Sequence, residues 1–244
     1  MANVLFSSTF FYKLDPKQWG FHQPYPPLGT LLAAAVIRRE NINVSFFDAS
    51  FSSDPEEITA PLEKEKPEYV VIFDDGFNYL TKMCLTVMRE AVFVMARKAN
   101  ERGCTVMVCS SDATDHCEQY FDHGVRYVIR GEGEETLREL LLALDKNNSV
   151  EQIKGLAFRK EHKTIVTPDR PVMRDLDALP MPAWDLVSLE EYRKIWLKHH
   201  GYGPPHRRHR QAARLSRQHA EKPRPPRRPR PFAAHPAGAD PEGR

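Results

Sequence analysis
The chain contains no run of about 18 apolar residues, so no segment can cross a bilayer as a helix. Its opening, Met1-Ala2-Asn3-Val4-Leu5-Phe6, lacks the basic segment, apolar stretch and small-residue cleavage site of a secretory leader, which points to the cytoplasm. Cysteine is scarce. Cys84, Cys104, Cys109 and Cys117 are the four in 244 residues, and none pairs as Cys-x-x-Cys, the spacing of metal knuckles and redox sites. Disulfide frameworks belong to small secreted chains, so these four read as small buried apolar side chains. A Walker phosphate loop, a His-Glu-x-x-His helix and a Ser/His/Asp set are also missing, and with them any named hydrolase chemistry. Gly131 and Gly133 do not make a dinucleotide fingerprint. That motif sits at the first strand-to-helix turn and needs a third glycine where this chain has Thr136. No repeat with a period of 20–50 residues is present.

Acidic residues are nearly absent from the end of the chain. Residues 203–244 hold 11 of the 35 basic residues and 3 of the 33 acidic ones, leaving 24 basic against 30 acidic before Gly203. The same segment holds 9 of the 20 prolines, and its large apolar residues are Leu215 and Phe232. Such a composition cannot bury enough surface to offset the entropy of ordering.

The first 148 residues alternate between apolar runs and helical patterns. Strands are expected at Val4–Phe6, Val44–Asp48, Tyr69–Phe73, Thr105–Cys109 and Tyr127–Ile129. Helices are expected at Leu28–Glu40, Pro55–Lys66, Tyr79–Arg102, between His116 and Gly124, and at Glu135–Leu144. Tyr69-Val70-Val71-Ile72-Phe73 is apolar throughout, as in a strand covered on both faces. Parallel returns need crossovers of a dozen residues or more, so the pattern predicts an α/β fold with a doubly wound, five-stranded parallel sheet. Residues 155–166 read as a small β-hairpin padding one sheet edge. Asp177–Asp185 is a proline-punctuated connector, followed by a helix at Leu189–His199.

In such a sheet, ligands bind outside the carboxyl ends of the strands. The loops expected there are Ser7-Ser8-Thr9, Asp74–Asn78, Ser110–Thr114 and Gly131–Glu134, all polar or glycine-bearing. Hydroxyls supply donors and acceptors, and glycine lets backbone approach a flat ligand. The candidate contacts are Thr9, Asp75, Gly76, Ser110, Ser111, Asp112, Gly131, Glu132 and Gly133. Tyr12, Trp19 and Tyr25, in the long aromatic loop between Thr9 and Pro27, are secondary candidates; loops of that length are commonly functional. The same residue types also favour turns and helix N-caps without any ligand. Glu132, Glu134 and Glu135 suit a helix start electrostatically, and the spacing of hard-cation ligands is absent. His116 and His123 lie seven residues apart, and His22 stands alone in the aromatic loop.

Pro26-Pro27-Leu28-Gly29-Thr30-Leu31, Phe47-Asp48-Ala49, Ser110–His116, Gly131-Glu132-Gly133-Glu134-Glu135-Thr136 and Leu179–Asp185 together resemble the amino-terminal half of cobalamin-binding-domain radical S-adenosylmethionine proteins. The resemblance covers residues 1–202. It implies a cobalamin-binding domain at 1–148, the hairpin extension at 149–175, and a connector with helix at 176–202 leading toward a radical domain. The Asp-x-His-x-x-Gly motif that supplies a histidine to cobalt in many cobalamin domains does not occur, which implies cobalamin held without a protein histidine. The resemblance also implies a Cys-x3-Cys-x2-Cys loop further on, but no cysteine follows Cys117, so no iron–sulfur cluster is expected in this chain. The expectation is a module that binds cobalamin without catalysing, cut off or read out of frame after about residue 202, with a disordered Arg/Pro-rich tail at 203–244.

Two other readings stay open. The basic tail suits phosphate contacts in a nucleic-acid-associated protein, the only part of the chain that does. Asp48 and Asp74-Asp75 at strand ends suit a response-regulator-like signalling domain, although Gly131-Glu132-Gly133-Glu134 stands where that domain needs a lysine. Removal of residues 203–244 is expected to leave thermal unfolding of the remainder unchanged. A loss above about 1 kcal/mol would show that the tail packs.

Overall fold
The computed structural model describes residues 3–74 and 85–204, all within one compact unit, Met1–Pro205. Five parallel strands form its centre: β1 (Asn3–Ser7), β2 (Asn43–Phe47), β3 (Tyr69–Phe73), β4 (Thr105–Cys109) and β5 (Tyr127–Ile129). The sheet does not stop at five. β6 (Leu156–Lys160) pairs antiparallel with β5, and β7 (Lys163–Val166) with β6, so the spatial order is β2-β1-β3-β4-β5-β6-β7. The hairpin is therefore no separate appendage. It carries the same sheet two strands further because Leu156, Ala157 and Phe158 are buried against the β5 edge.

Side chains alternate between two cores, as strand geometry requires. Leu5, Val70, Ile72, Val106, Val108 and Val128 face one side. There they meet α3 (Thr59–Glu65) through Leu62, α4 (Leu85–Asn100) through Val92, Met95 and Ala96, and α6 (Cys117–Asp122) through Tyr120 and Phe121. Val4, Phe6, Val71, Phe73, Met107 and Ile129 face the other side, against Ala33, Ala34 and Ile37 of α2 (Leu28–Arg38) and Leu137, Leu140 and Leu141 of α7 (Glu134–Asp145). Both faces of the central strands are covered, which explains their continuous apolar sequences.

Three local readings need correction. The Thr9–Pro27 segment is no plain loop, since it contains a 3-10 turn at Tyr12–Leu14 and the short helix α1 (Pro16–Phe21). Ser111–Asp115 is a helix too, α5, which the side chain of Ser110 caps by accepting from the Ala113 amide. Pro55–Lys66 divides into a 3-10 turn, Pro55–Ile58, and α3, with Asp54 and Glu57 forming a reciprocal capping box. The helix expected over Tyr79–Arg102 is present as α4 from Leu85, and its earlier part lies outside the described residues. Among the described residues no helix is long and apolar enough to cross a membrane.

The connector folds back on the sheet domain. The Ala183 amide donates to the Leu31 carbonyl at 3.1 Å. Tyr192 of α8 (Leu189–His200) is 1 % exposed and packs with Leu31 and Val187. Its hydroxyl donates to the Asp48 carboxylate just after β2, at 2.8 and 3.0 Å from the two oxygens.

Candidate functional site
The direction of winding across the sheet reverses between the parallel strands β1 and β3: from β1 the chain crosses outward to β2, and from β3 it crosses the other way to β4. Loops at such a switch point diverge and leave a crevice at the carboxyl edge. In this crevice Thr9, Asp74, Arg89, Ser110, Asp112 and Tyr120 line a cleft floored by Met88 and Val92. Its free volume is about 10 Å³, room for roughly one water molecule, so a large ligand would lie across the rim residues and not inside the cleft.

Three of the sequence-derived candidates meet here. Thr9 is 4 % exposed, in a buried run with Ser7 and Ser8. The Ser7 hydroxyl donates to the Ser8 carbonyl at 3.1 Å. The Ser8 hydroxyl is buried and has no hydrogen-bond partner among the described residues, a condition that costs about 1–3 kcal/mol for a buried polar group. Ser110 reaches the same cleft, but its hydroxyl is engaged with the Ala113 amide at 2.9 Å and its carbonyl accepts the Thr114 hydroxyl at 2.9 Å. Ser110 and Thr114 of the expected Ser110–Thr114 loop are thus occupied in shaping α5, while Ser111 is exposed at its first position.

Asp112 is the electrostatic centre of the cleft. Arg89 grips it in a bidentate pair, Nε to Oδ2 at 2.7 Å and Nη2 to Oδ1 at 2.5 Å, and the Tyr120 hydroxyl donates to Oδ2 at 2.7 Å. Burial alone would push the Asp112 carboxyl up, but these donors outweigh it and hold the group below its ordinary range. Burial and the adjacent carboxylate push the Tyr120 phenol well up. Arg89 and Tyr120 escaped the sequence reading because they lie 23 residues before and 8 after Asp112, on separate helices. Ser8 was passed over beside Thr9; an unpartnered hydroxyl becomes visible only once the packing is known.

The remaining candidates serve mainly the fold. Gly131 holds φ +75° in an exposed turn, with open space around it. A Cβ on Gly133 would stand 2.6 Å from Cys109 Sγ and 2.9 Å from Phe73 Cε2, so this glycine lets the start of α7 close onto the ends of β3 and β4. The Glu132 carboxylate accepts from the Met173 amide at 2.6 Å and ties the connector down. Asp75 and Gly76 lie outside the described residues. Tyr12 is 1 % exposed, with its hydroxyl accepting from the Gln23 amide and its ring 5.4 Å from Trp19. Tyr25 stacks on Phe10 at 6.1 Å. The aromatic segment is therefore a self-packed body beside the rim.

The three histidines singled out in the sequence have side-chain neighbours. His123 stacks on Phe93 at 3.8 Å, His22 on His199 at 3.6 Å, and His116 stands 3.8 Å from Asp112. Asp48, a phosphoacceptor in the signalling reading, is enclosed by Tyr192 and the Ser50 amide; burial raises its pKa despite these donors. Of the three cysteines among the described residues, Cys104 and Cys109 are buried and Cys117 is half-buried.

The Arg89–Asp112 pair carries a direct test. Arg89→Met strands a carboxylate that is 8 % exposed, so denaturant unfolding should show a loss of about 3 kcal/mol. Because the folded-state pKa of Asp112 is depressed, its contribution is complete above about pH 5 and is lost as pH falls below about 4; Asp112→Asn should flatten that acid limb. A loss under 1 kcal/mol in Arg89→Met would reduce the pair to an ordinary surface bridge.

No family model matches the chain. Over 170 residues it is 28% identical to the anaerobic magnesium-protoporphyrin IX monomethyl ester cyclase of Synechocystis sp., covering 68% of this chain and 33% of that protein. A 66-residue stretch is 38% identical to an uncharacterized methyltransferase of Pyrococcus horikoshii, covering 27% of this chain and 14% of that protein. OxsB, a cobalamin-dependent S-adenosylmethionine radical enzyme solved with aqua-cobalamin and S-adenosylmethionine bound, matches with a TM-score of 0.58 at 19% identity, over 80% of this chain and 25% of its own. TsrM from Kitasatospora setae, a radical S-adenosylmethionine methyltransferase solved with cobalamin and an iron–sulfur cluster bound, matches with a TM-score of 0.54 at 17% identity, over 74% of this chain and 31% of its own. The chain spans about a third or less of each of these proteins. At such identities the structural likeness establishes the fold. The chain shares its fold with part of OxsB and with part of TsrM.

Proposed function
We propose that residues 1–202 form a cobalamin-binding module of a radical S-adenosylmethionine-type protein, one that binds the corrin without itself catalysing. The observation that carries this reading is the polar crevice at the switch point, where Thr9, Ser110 and Asp112 meet, in a fold shared with OxsB and TsrM, which were solved with cobalamin bound. A corrin is broad and amphipathic, and its peripheral amides need hydrogen-bond partners while its ring needs an apolar wall. Ser8, Thr9 and Ser111, with the open turn at Gly131, would supply the former, and the aromatic segment around Tyr12, Trp19 and Tyr25 the latter. Glu132 and Gly133 belong to the same proposed rim, and Asp75 and Gly76, outside the described residues, are proposed as further contacts from the sequence. When bound, cobalamin supplies methyl-transfer or radical-tuning chemistry; the chain's part is to hold it and screen it from water. The cobalt is proposed to carry no protein histidine, in keeping with the ring contacts of His22 and His123 and the Asp112 neighbour of His116.

Titration of the full chain with hydroxocobalamin, followed by absorbance and by gel filtration at tens of micromolar, tests the reading. Retained corrin is expected, with the same visible spectrum in His22→Ala, His116→Ala and His123→Ala. Ser8→Ala and Thr9→Val should weaken binding by up to about tenfold, the worth of one buried hydrogen bond. No retained corrin would overturn the cofactor reading, and a changed spectrum in one histidine variant would overturn the ligand claim.

A further inference from the structure
At the amino edge of the sheet, opposite the rim, the strands do not begin level. Tyr69 of β3 pairs with Thr105 of β4, but β5 starts at Tyr127, which pairs with Met107, two residues further along. The missing corner leaves a notch beside Thr105. Helix ends enclose it. The Asn100 side chain at the end of α4 donates to the Gly124 carbonyl at 3.0 Å, and Leu144 near the end of α7, with the turn at Asn147, forms another wall. The cavity has a volume of about 530 Å³, within the roughly 300–1,000 Å³ of small-molecule sites.

Its lining is sorted by depth. Tyr69, Val125 and Tyr127 are at most 7 % exposed, and Phe121 is buried with them, so the interior offers aromatic and aliphatic surface. Asn100, Arg126 and Asn147 stand exposed at the mouth. Of the two arginines on the wall, Arg159 is engaged, donating from Nη1 to Asp122 at 2.8 Å and from Nη2 to Glu118 at 2.6 Å. Arg126 is not. Its guanidinium carbon lies 5.9 Å from the Tyr127 ring centre, and among the described residues it has no hydrogen bond or ion pair. The lining also holds Glu68, whose carboxylate accepts from the Tyr69 hydroxyl; burial and this carboxylate push the phenol up to about 12. The uncommitted cation of the wall is thus a single guanidinium, with a carboxylate elsewhere on the lining to repel a second negative charge.

A planar guanidinium beside a ring suits a planar carboxylate, which it can meet with two parallel N–H donors. A doubly charged phosphate calls for further cations or a helix N-terminus. We propose that this notch is a second ligand site, one that takes a small aryl monocarboxylate, with the carboxylate on Arg126 and the ring against Val125, Tyr127 and Leu144. The Asn147 side chain, without a partner among the described residues, adds an amide donor at the mouth. The site lies at the opposite edge of the sheet from the proposed corrin rim and does not depend on cobalamin binding.

Amide chemical shifts of the full chain, titrated at pH 7.5 with benzoate as the probe, read the site. Saturable shifts are expected at 104–105, 124–127 and 144–147, with a Kd on the order of 1 mM, in keeping with so small a ligand. Benzamide, which lacks the charge, and acetate, which lacks the ring, should each bind at least about tenfold more weakly. Arg126→Gln removes a charge that pairs with nothing in the fold and should weaken benzoate by a similar factor. Asn147→Asp, which sets a carboxylate at the mouth, should weaken it too. The proposal is overturned by the absence of saturable shifts, by shifts scattered over the surface or gathered at 110–114, by benzamide binding as well as benzoate, or by undiminished binding in Arg126→Gln.

Discussion
Burial of the central strands on both faces is the constraint from which the remainder follows. Val70, Val71, Ile72, Val106, Met107 and Val108 are fully buried, and they alternate between two separate cores. Neither core exists unless helices return on both sides of the sheet, and a helical crossover of this kind joins strands that run the same way, as β1 to β5 do. All the strand-to-helix turns of β1, β3, β4 and β5 are thereby collected at one edge. A polar rim at that edge is thus a consequence of how apolar surface is buried, and ligand chemistry is built on it secondarily.

At the rim, structural and binding demands compete for the same side chains. Ser110 caps a helix, Asp112 is gripped by Arg89, and Gly133 allows a close approach of backbone to Cys109 and Phe73. What these interactions provide is position: they hold the 110–112 turn rigidly against α4 and α6. In the proposed site the groups left to meet a ligand are fewer and lie closer to β1, at Ser8 and Thr9. A rigid, internally satisfied frame around a few unspent donors is the arrangement expected of a preformed site.

Legibility in the sequence follows the range of the interactions. The runs at Tyr69–Phe73 and Thr105–Cys109 are strands in the structure with the same ends, because continuous apolar character is local information. The hairpin was readable as two strands, but nothing in residues 155–166 says that β6 pairs with β5 and brings the sheet to seven. Ser111–Asp115 reads as a loop because Ser, Asp and Thr favour turns, and one serine cap is enough to make it a helix. The docking of α8 was hidden for another reason. The helix is rich in charge, and only Tyr192 and Trp196, four residues apart on one face, carry the burial that a linker reading overlooks. Partners as distant as Arg89 and Asp112, or His22 and His199, leave no trace in spacing at all.

The central claim is that the carboxyl edge of β1, β3, β4 and β5 is where the cofactor sits, and amide exchange of the full chain with and without saturating hydroxocobalamin tests it most directly. The account predicts protection gained at residues 7–25, 110–114 and 131–133, with the opposite edge at 104–105 and 124–127 unchanged. Protection confined to that opposite edge, or spread evenly over the chain, would contradict it.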